Sequence, residues 1–453
     1  MLFAVNELND IFSISQGASH EEITIHSVMT DSRKEMKQSI FVPVVGEKFD
    51  AHQFMKQAIE NGAVAALWQS DRELPKYVPT DFPVFFVEDT TKALQVMAKY
   101  YLGKVDPVVI GITGSNGKTT TKDLVSSVVG TRYRTHKTAG NFNNHIGLPL
   151  TIFEMPMETE AAVLEMGMSQ YGEIEVLSNL ARPDYAIITN IGESHIEFLG
   201  SREGIAKAKL EIKAGLKKQG GLIFDGDEPL LEAEKDYPGN WPCGMGEDNR
   251  VVIKDIEISD ESGRFTIDGE SYEVPIPGKH NIKNASFAIA LARLLNIPKD
   301  RIQEGLDDIQ VSGMRFERIE GKNGSLIIND AYNASPTSMR ATIEIIKNMK
   351  SKQKKVLVLG DVYELGELSK EMHRSVADAI DEHIHAVYTC GEDAEEISKA
   401  VASRNPSVTT GHYTDKHKLQ EVLVNELDND TVVLLKASRG VKLETLIEHL
   451  TEA

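Results

Sequence analysis

A chain of 453 residues with 41% hydrophobic and 26% charged side chains is long enough for roughly two to four domains of about 100–200 residues and has an ordinary globular balance. Its net charge of −20 argues against non-specific binding to nucleic acid or anionic membrane, which needs clustered Lys and Arg, so an anionic ligand requires a local basic site. Cys243 and Cys390 are the only cysteines, far apart and in no metal-ligand spacing, which speaks against a disulfide framework and a zinc site.

In chain order, MLFAVNELNDIF lacks a basic region followed by a long apolar run, and no apolar stretch approaches the roughly 18 residues of a membrane span. A cytoplasmic location without membrane insertion is expected. Residues 1 to 105 mix strand-like SIFVPVV, AVAALW and PVFFVED with helical HQFMKQAIENG and TKALQVMAKYYLG, as in a small α/β domain. Residues 106 to 313 alternate short apolar strands (VVIGIT, AAVLEMG, YAIITNIG, GGLIFDGD) with helices, the pattern of a largely parallel sheet. VVIKDIEIS, GRFTIDG and ESYEVPIPG predict a β-meander at its flank. Residues 314 to 453 repeat the α/β theme with SLIIND, KKVLVLGD, HAVYTCG and TVVLLKAS, and Met339, Ile343 and Ile346 mark the core face of a helix.

The chemistry is concentrated after the strand VVIGIT. Gly114, Ser115, Asn116, Gly117, Lys118, Thr119 and Thr120 form a glycine-rich turn opening a helix, whose N–H groups can cradle phosphates. Lys118 then reaches the β/γ-phosphates of ATP and Thr119 ligates Mg²⁺. The strict GxxxxGK[ST] pattern has Gly where this chain has Ile112, so the loop is a variant. Ligands of open α/β sheets gather at the carboxyl ends of the strands, which selects Glu165 and His195 as further phosphate or metal contacts. As a bland alternative, Glu165 is a solvated strand-end charge and His195 is structural. Lys207 and Lys209 belong to a lysine-rich helix that spacing alone reads as a solvated face.

GITGSNGKTTT, TAGNFNNHIGLPLT, LEMGMSQYGEI, TNIGESHIEFLGS, AKAKLEI, GKHNIKNASFAIA, MRFERI and NDAYNASPTSM resemble, in order and spacing, the motifs of the Mur ligases, the ATP-dependent amino-acid and peptide ligases of peptidoglycan precursor synthesis. DAYNASPTSM, GDVYELGELS, DSR and GEKFDAHQF are most similar to the branch that adds D-alanyl-D-alanine to UDP-N-acetylmuramoyl-tripeptide. The resemblance implies a three-domain α/β architecture: a UDP-precursor-binding domain (1–105), a central P-loop ATPase-like domain (106–313) and a Rossmann-like dipeptide-binding domain (314–453). It implies Lys118, Glu165, His195, Lys209 and Arg315 as the catalytic set, with Thr119, Glu165, His195 and Lys209 around Mg²⁺, two ions being expected. Lys209 corresponds to a lysine carried as a carbamate, and Lys207 competes for that assignment. Asn284 corresponds to an adenine contact, Arg315 to the arginine near the γ-phosphate and Asp330 to the ribose acid; an inter-domain salt bridge for Arg315 and turn capping for Asp330 are the simpler alternatives.

Ser32 and Arg33 are implied at the UDP end, although D-S-R by itself is a turn, and His52 and Phe54 could equally pack the local core. Asn141 and Asn144 are implied near the acyl-acceptor end. Tyr332, Asn333 and Ser335 are implied at the dipeptide, where Ser335 departs from the family's commoner asparagine and Ala437, before Ser438 and Arg439, from its usual glycine. The expected reaction proceeds through an acyl phosphate, in a monomer. A folylpolyglutamate-type or different Mur ligase, or a P-loop ATPase without ligase activity, are the competing readings.

Overall fold

Three larger sheets and one two-stranded pair organise the chain in the computed structural model, which describes residues 1–46 and 49–451. The amino-terminal sheet runs in the order Ser15–Gln16, Val84–Val87, Ala63–Gln69, Ser39–Phe41, Ser27–Met29, antiparallel in its first pair and parallel thereafter. Both faces are covered, which is why AVAALWQ reads as an almost continuous apolar run: Ala65 and Leu67 pack in one core layer, Ala66 and Trp68 in the other. Asp89 caps the helix Thr90–Val105 by accepting from the N–H groups of Thr91 and Lys92, and Asp106 ends it in a left-handed conformation (φ 50°). That helix carries Tyr101 against Phe3 and Phe153, and the buried Tyr101 hydroxyl donates to the Met155 carbonyl at 2.6 Å.

The central sheet has nine strands, with Val108–Thr113 between Ala161–Glu165 and Tyr185–Ile188, all parallel. Gly221–Asp225, Trp241–Gly244 and Val251–Ile258 extend it on one side, and the predicted meander continues the same sheet through Gly263–Ile267 and Glu270–Val274. Helices Lys118–Gly130 and Lys279–Leu294 bury Leu124, Val125, Val128, Ala285 and Phe287 in one core layer. The carboxyl-terminal sheet is ordered Glu317–Glu320, Leu326–Asn329, Thr431–Lys436, Lys354–Gly360, Ala386–Cys390, Thr409–Tyr413 and is parallel except for its first pair. Met339, Ile343 and Ile346 are buried in its core, as their spacing predicts.

Two acidic side chains hold the chain around its passage from the central unit to this last one. Asp123, on the helix after the phosphate loop, accepts from the Ser312 N–H (2.9 Å) and hydroxyl (2.8 Å) at the start of the connecting segment. Asp260, in the meander's turn, accepts from the N–H groups of Lys350 (2.9 Å) and Ser351 (2.7 Å). Between the units, Met314 (φ 59°) and Phe316 (φ 53°) both hold left-handed backbone, so the chain turns sharply on either side of Arg315. Replacing Tyr101 by Phe leaves the packing and removes the bond to Met155; it is expected to lower stability by about 1 kcal/mol, read as an earlier first transition in thermal or urea unfolding.

Candidate active site

The phosphate loop is held by its neighbour strand. Thr113 closes the strand, and Gly114 follows with φ 149° against Thr189, whose Oγ1 would lie 1.8 Å from a Cβ at that position. The Asn190 carbonyl and side chain accept from the N–H groups of Ser115 (3.1 Å) and Asn116 (2.9 Å), and the Thr189 hydroxyl donates to the Asn116 carbonyl (2.5 Å). Gly117 (φ 77°) then opens the helix with no side-chain cap, so the first helical N–H groups face the cavity as an anion cradle. Lys118 curls over the loop, donating to the carbonyls of Gly114 (2.8 Å) and Ser115 (3.3 Å). Burial lowers its pKa, opposed by the Glu165 carboxylate and reinforced by Arg315.

Glu165 stands at the carboxyl end of its strand, 3% exposed. Thr119 donates to one of its oxygens and Asn143 to the other, each at 2.9 Å. Both partners are neutral, so among the described residues this buried carboxylate has no bonded cation, an arrangement suited to a metal ion. His195, left-handed at φ 66°, turns Nδ1 toward the Glu364 carboxylate of the carboxyl-terminal unit, which the ring holds below its ordinary pKa. The two lysines differ in burial. Lys207 is exposed, its ammonium over the Tyr171 ring at 5.7 Å, whereas Lys209 is 1% exposed and lines the cavity. Burial first, and Lys118 second, push the Lys209 amine well below its usual pKa.

One cavity of about 490 Å³ brings Ser115 to Thr120, Asn144, Glu165, His195, Lys209, Asn284, Arg315, Asp330, Tyr332 and Asn333 together. Asn284 packs on the loop: a Cβ at Gly117 would stand 3.0 Å from its amide. Arg315 forms no salt bridge among the described residues; its guanidinium stacks on Tyr332 at 4.3 Å and its buried Nε lacks a hydrogen-bond partner. Asp330 does more than cap a turn, accepting from Lys436 (2.6 Å), the Thr342 hydroxyl (3.0 Å) and the Phe316 N–H (3.1 Å). Asn143, Asn190, Asn281 and His280 also line this cavity and were not singled out in sequence. For Asn281 the signal was present, three residues before Asn284 and so on the same helical face.

Ser32, Arg33 and Asn141 do not line this cavity. Ser32 is buried and donates to Gln57 (2.8 Å), while exposed Arg33 forks onto Asp31 at 2.8 and 2.9 Å and pulls that carboxyl to about 2. Asn141 is exposed, and Asn144 accepts from the Ile146 and Gly147 N–H groups (3.1 and 2.7 Å) at the start of a helix. His52 takes the packing role, edge-on to Trp68 at 4.6 Å, with burial lowering its pKa to about 4. Glu47 and Lys48 of GEKFDAHQF lie outside the described residues.

Three family models cover most of the chain: Mur ligase family, catalytic domain (residues 24–102), Mur ligase middle domain (112–292) and Mur ligase, glutamate ligase domain (314–439). The chain belongs to the Mur ligase family. Among curated relatives, the UDP-N-acetylmuramoyl-tripeptide–D-alanyl-D-alanine ligase of Bacillus subtilis (strain 168) is 47% identical over 442 residues, 96% of this chain and 95% of that one. The Escherichia coli (strain K12) ligase of the same name is 32% identical over 99% of this chain and 98% of its own. Among solved structures, MurF from Acinetobacter baumannii superposes with a TM-score of 0.87 at 29% identity, covering 98% of each chain. MurF ligase from Thermotoga maritima, solved in complex with ADP, gives 0.84 at 30% identity over 95% of this Mur ligase and 98% of that chain. Gly114→Ala is expected to cost this Mur ligase about 3 kcal/mol or more through strain and the clash with Thr189, and to abolish the rise in Tm that ATP gives the parent protein.

Proposed function

We propose that this Mur ligase joins D-alanyl-D-alanine to UDP-N-acetylmuramoyl-tripeptide at the expense of ATP, a peptide-addition step of peptidoglycan precursor synthesis. The observation that carries the reading is the full-length 47% identity to a ligase of that name, combined with one cavity that joins phosphate loop, buried acid and carboxyl-terminal residues. Forming an amide from a carboxylate needs a better leaving group than oxide. Phosphorylation of the tripeptide's terminal carboxylate by ATP gives an acyl phosphate; the dipeptide amine attacks its carbon, and the tetrahedral adduct expels phosphate. The chain supplies positioning and charge: the helix N–H groups and Lys118 cradle the phosphates, and Arg315, held on Tyr332, reaches toward the transferred group.

Thr119, Glu165 and His195 would hold Mg²⁺, and the buried Glu165 carboxylate, hydrogen-bonded only to neutral side chains, supports that fit. When bound there, the ion supplies neutralisation of the charge on the phosphoryl group. Lys209, buried and with its amine biased toward the neutral form, is suited to add CO₂, releasing one proton and leaving a carbamate able to help hold a second Mg²⁺. Asn284 would contact the adenine, and Asp330 the ribose. Residues 1–105 would bind the UDP end through Ser32 and Arg33, residues 106–313 ATP, and residues 314–453 the dipeptide through Tyr332 and Asn333, with Asn141 and Asn144 toward the acyl-acceptor end. The enzyme would act as a monomer, and among the described residues no helix is long and apolar enough to cross a membrane. Two free buried cysteines and the use of ATP suit the cytoplasm.

The test is phosphate release from Mg-ATP with UDP-MurNAc-tripeptide, with and without D-Ala-D-Ala, following the nucleotide product by mass. Release dependent on both substrates and a product heavier by the dipeptide is expected; release with neither makes the protein a stand-alone ATPase. For Lys209, a ¹³C-bicarbonate NMR signal in the carbamate region should vanish in Lys209→Ala, together with a roughly 10²-fold loss of kcat. A Lys209→Ala protein with full activity overturns the carbamate.

A further inference from the structure

Ser335 opens the helix Pro336–Asn348 of the carboxyl-terminal unit and is fully buried. It forms a reciprocal capping box: its Oγ accepts from the Ser338 N–H (3.1 Å), and its N–H donates to the Ser338 hydroxyl (2.9 Å). The hydroxyl proton, not used by the cap, is donated across the unit boundary to Oδ1 of Asn116, in the phosphate loop, at 3.0 Å. Asn116 cannot easily follow a displaced partner. Its N–H is fixed on Asn190, its carbonyl receives the Thr189 hydroxyl, and its Nδ2 is packed against Gly192, where a Cβ would stand 3.0 Å away. Two residues along the same helix, the Thr337 hydroxyl donates to Glu193 (2.7 Å), and Arg340 lies 3.6 Å from that carboxylate. The segment 190–193 therefore grips the phosphate loop on one side and this helix on the other.

We propose that Ser335 is a positioning residue for the ligation: its hydroxyl locks the phosphate loop to the unit that presents the dipeptide, so that the amine and the activated carboxyl meet in register. The inference rests on the ligase reading of the cavity. Position 335 must accept from a helix N–H and at the same time donate to the side-chain Oδ1 of Asn116. Serine and asparagine side chains meet both demands. Aspartate meets only the first, and glycine tolerates the cap position without offering a donor.

Ser335→Asn, Ser335→Gly and Ser335→Asp separate the bridge from the cap. Nucleotide Kd is measured by calorimetry without the other substrates, kcat and KM for D-Ala-D-Ala in the ligation assay, Tm by calorimetric scan, and the radius of gyration with nucleotide bound by small-angle X-ray scattering. The Asn variant is expected to stay within about threefold of the parent in kcat. The Gly variant should keep nucleotide Kd within about twofold and its Tm nearly unchanged, yet lose roughly tenfold in kcat, the scale of one buried hydrogen bond, and scatter as a more open particle. Should the Gly variant fold poorly, the well-capped Asp variant carries the test, with a loss of kcat at least as large. Parent-like kcat in either the Gly or the Asp variant overturns the proposal, as does equal impairment of all three. A parent protein that forms no ligation product defeats the ligase reading instead, and the scattering comparison then decides the bridge alone: Gly and Asp open with Asn closed supports it, and three identical profiles overturn it.

Discussion

The site depends on a helix that starts without a cap. A side chain at the cap position can satisfy a helix's first N–H groups, but Gly117 offers none, and the unpaired donors are left for an anionic ligand. That uncapped start is stable because the loop before it is fixed through other atoms: Asn190 takes the N–H groups of Ser115 and Asn116, and Thr189 fills the space a side chain at Gly114 would need. A chain of net charge −20 can thus attract a polyanion locally, with fixed dipoles and a few cations such as Lys118 and Arg315. The same loop must be rigid for the buried Glu165 to be useful, since Thr119 at the helix start is one of the two groups that orient it.

Much of this was legible in the sequence because it is local. The phosphate loop, the parallel strands around it and the helix core at Met339, Ile343 and Ile346 follow from residue order and period. The lysine-rich helix reads as a solvated face, yet Lys209 falls four residues after Ile205 and three before Ile212, on their buried face, while Lys207 falls opposite. What the sequence concealed was either short or distant. Thr135–Lys137 and Thr409–Tyr413 are sheet edges with little apolar content, so no periodicity announces them. Asn143 matters because it bonds Glu165 across 22 positions, and Arg33 is bound to nearby Asp31.

How the units meet was hidden for the same reason. Glu364 on His195, Ser335 on Asn116 and Thr337 on Glu193 are side-chain encounters between segments more than a hundred residues apart, and nothing in local propensity selects them. They share a character, being polar, few and close to the cavity. The apolar cores that build each sheet are extensive by comparison. Polar contacts of this kind discriminate between arrangements more than they stabilise any one of them.

The two acidic fastenings have a geometric consequence. Asp123 fixes Ser312, where the chain leaves the central unit, and Asp260 fixes Lys350 and Ser351, well inside the next. Between those grips the chain passes through the left-handed residues at 314 and 316. Arg315 sits between those two residues, so a turn taken at either one re-aims a guanidinium that lines the cavity.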